Sequence, residues 1–305
     1  MAGALAGAMS EGDWVEGPLH AQILSRGDRG VLLLGELHSR SRCPRRGARS
    51  LAALLASLVR RLPRREAVDL FVEQEEEEDE AGAGAGGPRG GAGPSALEKL
   101  RALAARLRRG AAPRLRVRYT DPRTRLCMPQ HRELTAVLEP VLAGRRRSPA
   151  LGAAAIRIVD LFARRPAARL LRHPRGAFRR ARAGLDTADR DAVARRLEPL
   201  RGQLDAIDRD LRRDHTSDDA VWEALFQYNQ LSNRLSDTYT ACRLLHPAVR
   251  VAVVYVGYNH AMRLGEHLRG AGFAVFREYG KTVKSVEEAA TVPGAGCLPT
   301  AHTGK

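Results

Sequence analysis

The spacing of apolar residues changes several times along the chain, and each change marks an element. Val31 to Leu34, within "VLLLGELHSR", is a continuous apolar run preceded by the turn cluster "RGDRG", which reads as a buried strand. Leu51, Leu54, Leu55, Leu58 and Leu62 then recur at three- and four-residue spacing until Pro63, the pattern of a helix with one apolar face. "AVDLFVEQ" follows as a second strand that ends at Glu73. Strand, helix and strand within about forty residues predict a right-handed βαβ unit with parallel strands.

Residues 75–94 combine an acidic run with Gly, Ala and Pro, a composition that favours a disordered loop. Ser95 and Glu98 have capping-box spacing, and Leu97, Leu100, Leu103 and Leu107 form the apolar face of the next helix. "RLRVRY" alternates as a third strand and leads to Thr120, Asp121 and Pro122. Residues 132–246 are helical in pattern, divided by Pro and Gly into several helices. "VRVAVVYVGYNHAMRLGEHLRGAGFAVFREYG" then gives a strand, a short connection bearing His260, a helix and a last strand. The expected architecture is α/β: a mostly parallel sheet flanked by helices, with a large helical insertion before the final strands. Residues 19–280 form one domain in this reading, between a flexible N-terminus (1–18) and a flexible C-terminal tail (281–305).

Composition adds constraints without changing that outline. At 305 residues, 44% hydrophobic and only 5% aromatic, the chain builds its core from Leu, Val and Ala. A net charge of +16 raises the possibility of nucleic-acid binding. The basic residues are nearly all Arg, however, and are spread over many helices instead of one aromatic-studded stripe. Cys43, Cys127, Cys242 and Cys297 are far apart, with no Cys-x-x-Cys pair to suggest a zinc ribbon or redox dithiol. No secretory signal and no membrane-spanning run is recognised, so a soluble intracellular protein is expected. The oligomeric state is not set by any pattern.

Polar groups stand where the strands end. Glu36 and His38 follow the first, Glu73 the second, Asp121 the third, and His260 the last long one. Ligands in parallel α/β sheets bind beyond the carboxyl ends of the strands, so these groups define a candidate site. Gly35-Glu36-Leu37-His38 and Gly257-Tyr258-Asn259-His260 also share one local design, in which glycine allows positive φ or close backbone approach. Either motif alone is accounted for by a hydrogen-bonded His in a turn. Together, two imidazoles and two or three carboxylates could hold a divalent transition metal with an open water position. Without a metal, Glu36 could act as general base while His38 or His260 supplies the acid or a polarising hydrogen bond.

"LLGELH", a strand ending "FVEQ" and the later "VVYVGYNH" resemble the superfamily of TraB-type proteins, Tiki proteases, ChaN haem-binding lipoproteins and erythromycin esterases. The likeness is greatest to members from large DNA viruses, which carry Gly-Glu-x-His and then a Glu at the second strand. Their Asp-x-Arg after the third strand is matched by Asp121-Pro-Arg123, and their late Asp-x-Tyr helix by Asp237-Thr-Tyr239. The resemblance implies a sheet with Glu36, His38 and His260 on one rim. It also implies metal-assisted hydrolysis of a peptide or ester bond in a peptide or small-molecule substrate. Glu36, His38, Glu73 and His260 are the implied metal ligands, with Asp121, Arg123, Asp237 and Tyr239 in support. In the last motif, Tyr258 and Asn259 stand where a small residue or Asp is expected. Through the ChaN branch, the resemblance implies haem binding as the alternative, with Tyr258 as a possible iron ligand.

Overall fold

The computed structural model describes residues 1–10, 14–36, 48, 50–75, 114–121, 181–213, 218–280 and 297–299. In chain order the elements are α1 (Ala2–Met9), β1 (Trp14–Glu16), β2 (His20–Arg26), β3 (Arg29–Glu36), α2 (Leu51–Arg61), β4 (Val68–Glu75) and β5 (Leu115–Asp121). They continue with α3 (Thr187–Arg213), α4 (Asp218–Leu245), β6 (Val251–Gly257), α5 (Tyr258–Gly270), β7 (Ala274–Gly280) and β8 (Cys297–Pro299).

Six strands form one mixed sheet in the order β5-β4-β6-β3-β2-β7. β6 is parallel to both β3 and β4, whereas β2 is antiparallel to β3 and to β7. The α/β class read from the sequence is the class observed. The βαβ unit differs in one respect: β3 and β4 share a direction, but β6 lies between them. A chain segment almost two hundred residues downstream therefore completes the centre of the sheet. β6 is buried along its whole length, which explains why "VAVVYVG" is continuously apolar instead of alternating.

Alternation divides the flanking strands between two layers. Leu32, Leu34, Val68, Leu70, Val72, Val251, Val253 and Tyr255 face a core shared with Leu5 and Met9 of α1 and with Leu54 and Leu58 of α2. The opposite face is covered by α5, whose Ala261, Leu264 and Leu268 are buried. Ser50 caps α2 by accepting a hydrogen bond from the Ala53 N–H at 3.3 Å, as its position before the leucine periodicity suggests.

Two expectations at the chain ends are corrected. The first eighteen residues include a helix, a strand and much of the first core layer: Leu5 and Met9 are fully buried. "AGALAGAM" is apolar on every side, so no amphipathic period marks it as a helix. In the tail, Cys297–Pro299 forms a strand that pairs antiparallel with β1. β2 was also missed, because "HAQILSR" mixes His20, Gln22, Ser25 and Arg26 with its apolar residues, although His20 and Gln22 are buried. β4 runs through Glu75, one residue into the segment expected to be loop, and residues 76–94 lie outside those described.

The chain divides into two units, Met1–Thr120 with Pro247–Lys305, and Asp121–His246. The second contains α3 and α4, which pack on each other; the rest of the expected helical stretch lies outside the described residues. Among the described residues, no helix is long and apolar enough to cross a membrane.

Several arginines in the first unit have structural partners. Asp69, fully buried in β4, receives Arg116 at 2.5 Å and Arg118 at 2.9 Å from the neighbouring β5. The alternation of "RLRVRY" thus places guanidinium groups toward a buried carboxylate, while Leu115 and Val117 pack against the core. Arg114 donates to the carbonyls of Leu62, Pro63 and Glu66 and closes the α2–β4 turn.

Leu5→Ala is expected to lower stability by about 2–5 kcal/mol, the range for emptying a fully buried leucine site. Urea denaturation followed by circular dichroism reads the effect, and an unchanged midpoint would mean that α1 does not contribute to the core.

Candidate functional site

The carboxyl ends of β3, β6 and β4 lie side by side, in register Glu36↔Gly257 and Val72↔Tyr255. β6 is therefore flanked by one acid on each side. Glu36 continues the Leu32–Leu34 alternation onto the α1–α2 face, where it is 4% exposed and accepts a hydrogen bond from the fully buried Tyr255 hydroxyl. Glu73 is one residue beyond Val72 and so lies on the opposite face, beneath the first turn of α5.

There the backbone of α5 begins. Gly257 donates its N–H to Glu73 Oε2 at 2.6 Å. The other oxygen, Oε1, lies 3.6 Å from His260 Nε2. His260 Nδ1 is 3.3 Å from an Nη of Arg263, one helical turn further on. A guanidinium can only donate, so this contact requires a lone pair on Nδ1 and leaves the ring proton on Nε2, facing Glu73. The result is a carboxylate with one oxygen anchored and the other opposite an imidazole N–H, at a separation longer than a direct hydrogen bond. His260 and Glu73 are both partly exposed.

The two glycine motifs have different physical reasons. Gly35 permits close approach: a Cβ there would come within 3.1 Å of both Tyr258 Cα and Ala261 Cβ. Gly257 has φ of −56°, an ordinary value, and its place in the site comes from its N–H. Of the two uses expected of these glycines, positive φ is not the one found at this position.

Tyr258 is 7% exposed, with its ring nearly perpendicular to that of His20. Asp121 is the last residue of β5, while His38 and Arg123 lie outside the described residues. Asp237 and Tyr239 are buried on α4 in the second unit, where Arg243 lies over the Tyr239 ring at 5.7 Å. On the same helix, burial pushes the Cys242 thiol up to about 12 despite the nearby Arg182, so it remains protonated. Among the described residues, no three His, Cys, Asp or Glu side chains are grouped to hold a metal ion.

Sequence motifs did not single out a second imidazole–carboxylate pair on the α5 face. His20 of β2 pairs with Gly35 at the same end of the sheet, and its Nε2 lies 2.6 Å from Glu278 Oε1 of β7. Gln22 donates to the same oxygen at 3.1 Å. No motif contains His20, and β2, with His20, Gln22, Ser25 and Arg26 all polar, offered no local signal for it. Burial alone would push the Glu278 carboxyl up. The hydrogen bonds from His20 and Gln22, with the charges of His20 and Arg269, outweigh that effect and hold it below the ordinary 4.5.

Because the folded value is depressed, the ionised Glu278 stabilises the fold above pH 4.5, and this contribution is lost as pH falls through the lower folded value. Glu278→Gln should therefore be less stable than the parent near neutral pH, with the gap closing in acid. Thermal melts over a pH series measure this, and a gap that stays constant with pH would contradict it. Comparison with protein-family models, with curated proteins and with solved structures yields no match.

Proposed function

We propose that the protein is a hydrolase that uses Glu73 and His260 to activate water against a peptide or ester bond in a peptide or small-molecule substrate. The observation that carries this reading is the pair at the head of α5, with Glu73 Oε1 opposite the proton-bearing Nε2 of His260 across 3.6 Å. Glu73 takes a proton from water in this scheme, while the His260 N–H stabilises negative charge on the carbonyl oxygen or leaving group. Gly257 holds Glu73 Oε2, and this hydrogen bond orients the carboxylate. Glu36, bound to Tyr255 on the other side of β6, adds negative potential at the same strand ends, and His38 follows it in sequence.

The metal-assisted version draws on Glu36, His38, Glu73 and His260 as ligands. The described members do not by themselves fit an ion: Glu36 and Glu73 leave the sheet on opposite faces, and each has a carboxylate oxygen already engaged. The mechanism above is therefore built on the side chains directly.

Glu73→Gln and His260→Asn are each expected to lower kcat/KM for a chromogenic ester or peptide by about 100- to 10,000-fold, the usual weight of a general acid or base. Failure of the wild-type protein to hydrolyse ester and peptide panels, with and without added zinc or manganese, would overturn the hydrolase reading. A Soret band on haem titration that is lost in Tyr258→Phe would favour haem binding instead.

A further inference from the structure

The His20–Glu278 pair touches the candidate site through α5. Glu278 Oε1 accepts from two side chains of β2, His20 at 2.6 Å and Gln22 at 3.1 Å, which stand two residues apart on one face. Each of them meets α5. The His20 ring lies edge-on to Tyr258, with centroids 5.9 Å apart at 83°. The Gln22 Oε1 is buried without a hydrogen-bond partner among the described residues, where a Cβ on Gly265 would come within 2.6 Å. Glu278 thus fixes the orientation of two β2 side chains that meet α5, one at its first turn and one two turns later.

Tyr258 is the contact that matters for chemistry. It opens α5 directly after Gly257, whose N–H Glu73 holds, and two residues before His260. A Cβ on Gly35 would be 3.1 Å from its Cα, so the turn is seated directly on β3. The first turn of α5 is consequently held from two sides, by Glu73 on β4 and by His20 with Gly35 on β2 and β3. Glu278 as acceptor keeps the proton on His20 Nε2 and sets the plane of the ring that Tyr258 meets.

We propose that His20 and Glu278 are positioning residues of the Glu73–His260 site: by fixing Tyr258 they seat the first turn of α5, and with it the separation of His260 from Glu73. This rests on the reading that Glu73 and His260 form the working pair. Their effect is exerted through Tyr258, not on the reacting groups directly. Arg269, further along α5, is the other charge acting on Glu278.

Amide hydrogen exchange in the full-length, ¹⁵N-labelled protein tests the proposal independently of any activity. Gly257 reports the seat of α5, and Val253 in the middle of β6 reports the sheet. In Glu278→Ala, Gly257 should exchange at least about tenfold faster while Val253 keeps its parental rate, the mark of local instead of global opening. The His260 ring resonances should move as well. Glu278→Gln retains an acceptor oxygen and should restore most of the Gly257 protection. His20→Gln, which can still donate to Glu278 but offers Tyr258 no ring, should accelerate Gly257 in the same way and serves if the alanine variant does not fold. Parental exchange at Gly257 in a folded variant, or equal acceleration of Gly257 and Val253, would overturn the positioning role. Absence of hydrolysis by the wild-type protein would overturn the functional reading and leave these exchange rates interpretable.

Discussion

The insertion of β6 between β3 and β4 is the constraint on which the site depends. It requires the backbone of Gly257 to leave the sheet between two strands that each end in a glutamate, and it buries the start of α5 against them. A buried N–H at a helix start needs an acceptor, and Glu73 supplies one at 2.6 Å. The same hydrogen bond fixes Glu73 and the start of the helix relative to one another, so His260 reaches it from the first turn. Arg263 then selects the tautomer that turns a proton toward the carboxylate.

Each side of the sheet uses its polar groups differently. On the α1–α2 side, Glu36 is buried and bound by Tyr255, an arrangement in which a carboxylate must be satisfied because little water reaches it. On the α5 side, Glu73, His260, His20, Gln22 and Glu278 lie around one helix, in two imidazole–carboxylate pairs. At the β5 edge of the sheet, Asp69 is enclosed by two arginines and carries a structural load. Part of the high arginine content is therefore explained by partners within the first unit: Arg114, Arg116, Arg118 and Arg250 all bond to carbonyls or carboxylates of the fold.

Much of this was legible where burial imposes a period. The leucine spacing of α2, the continuous apolar runs of β3 and β6 and the alternation of β5 each follow from one local environment repeated along an element. Elements without a contrast between faces escaped. α1 is apolar all round, and β2 mixes polar with apolar residues, among them the buried His20 and Gln22, whose partners are Glu278 and the closely approaching Gly265. Those partners lie more than two hundred residues away, so nothing near β2 in the chain explains why polar side chains should be buried there.

By itself the sequence determined the class of fold and the presence of acids and imidazoles at strand ends, because both follow from local periodicity and from the residue at which it stops. Only the tertiary structure decided how those groups combine. Placing β6 at the centre puts Glu36 and Glu73 on opposite faces, since successive residues of a strand point to opposite sides and their positions differ in register against β6. Glu73 is thereby matched with His260, Glu36 with Tyr255 and His20 with Glu278. These are long-range pairings set by strand order and register, two properties that no local pattern encodes.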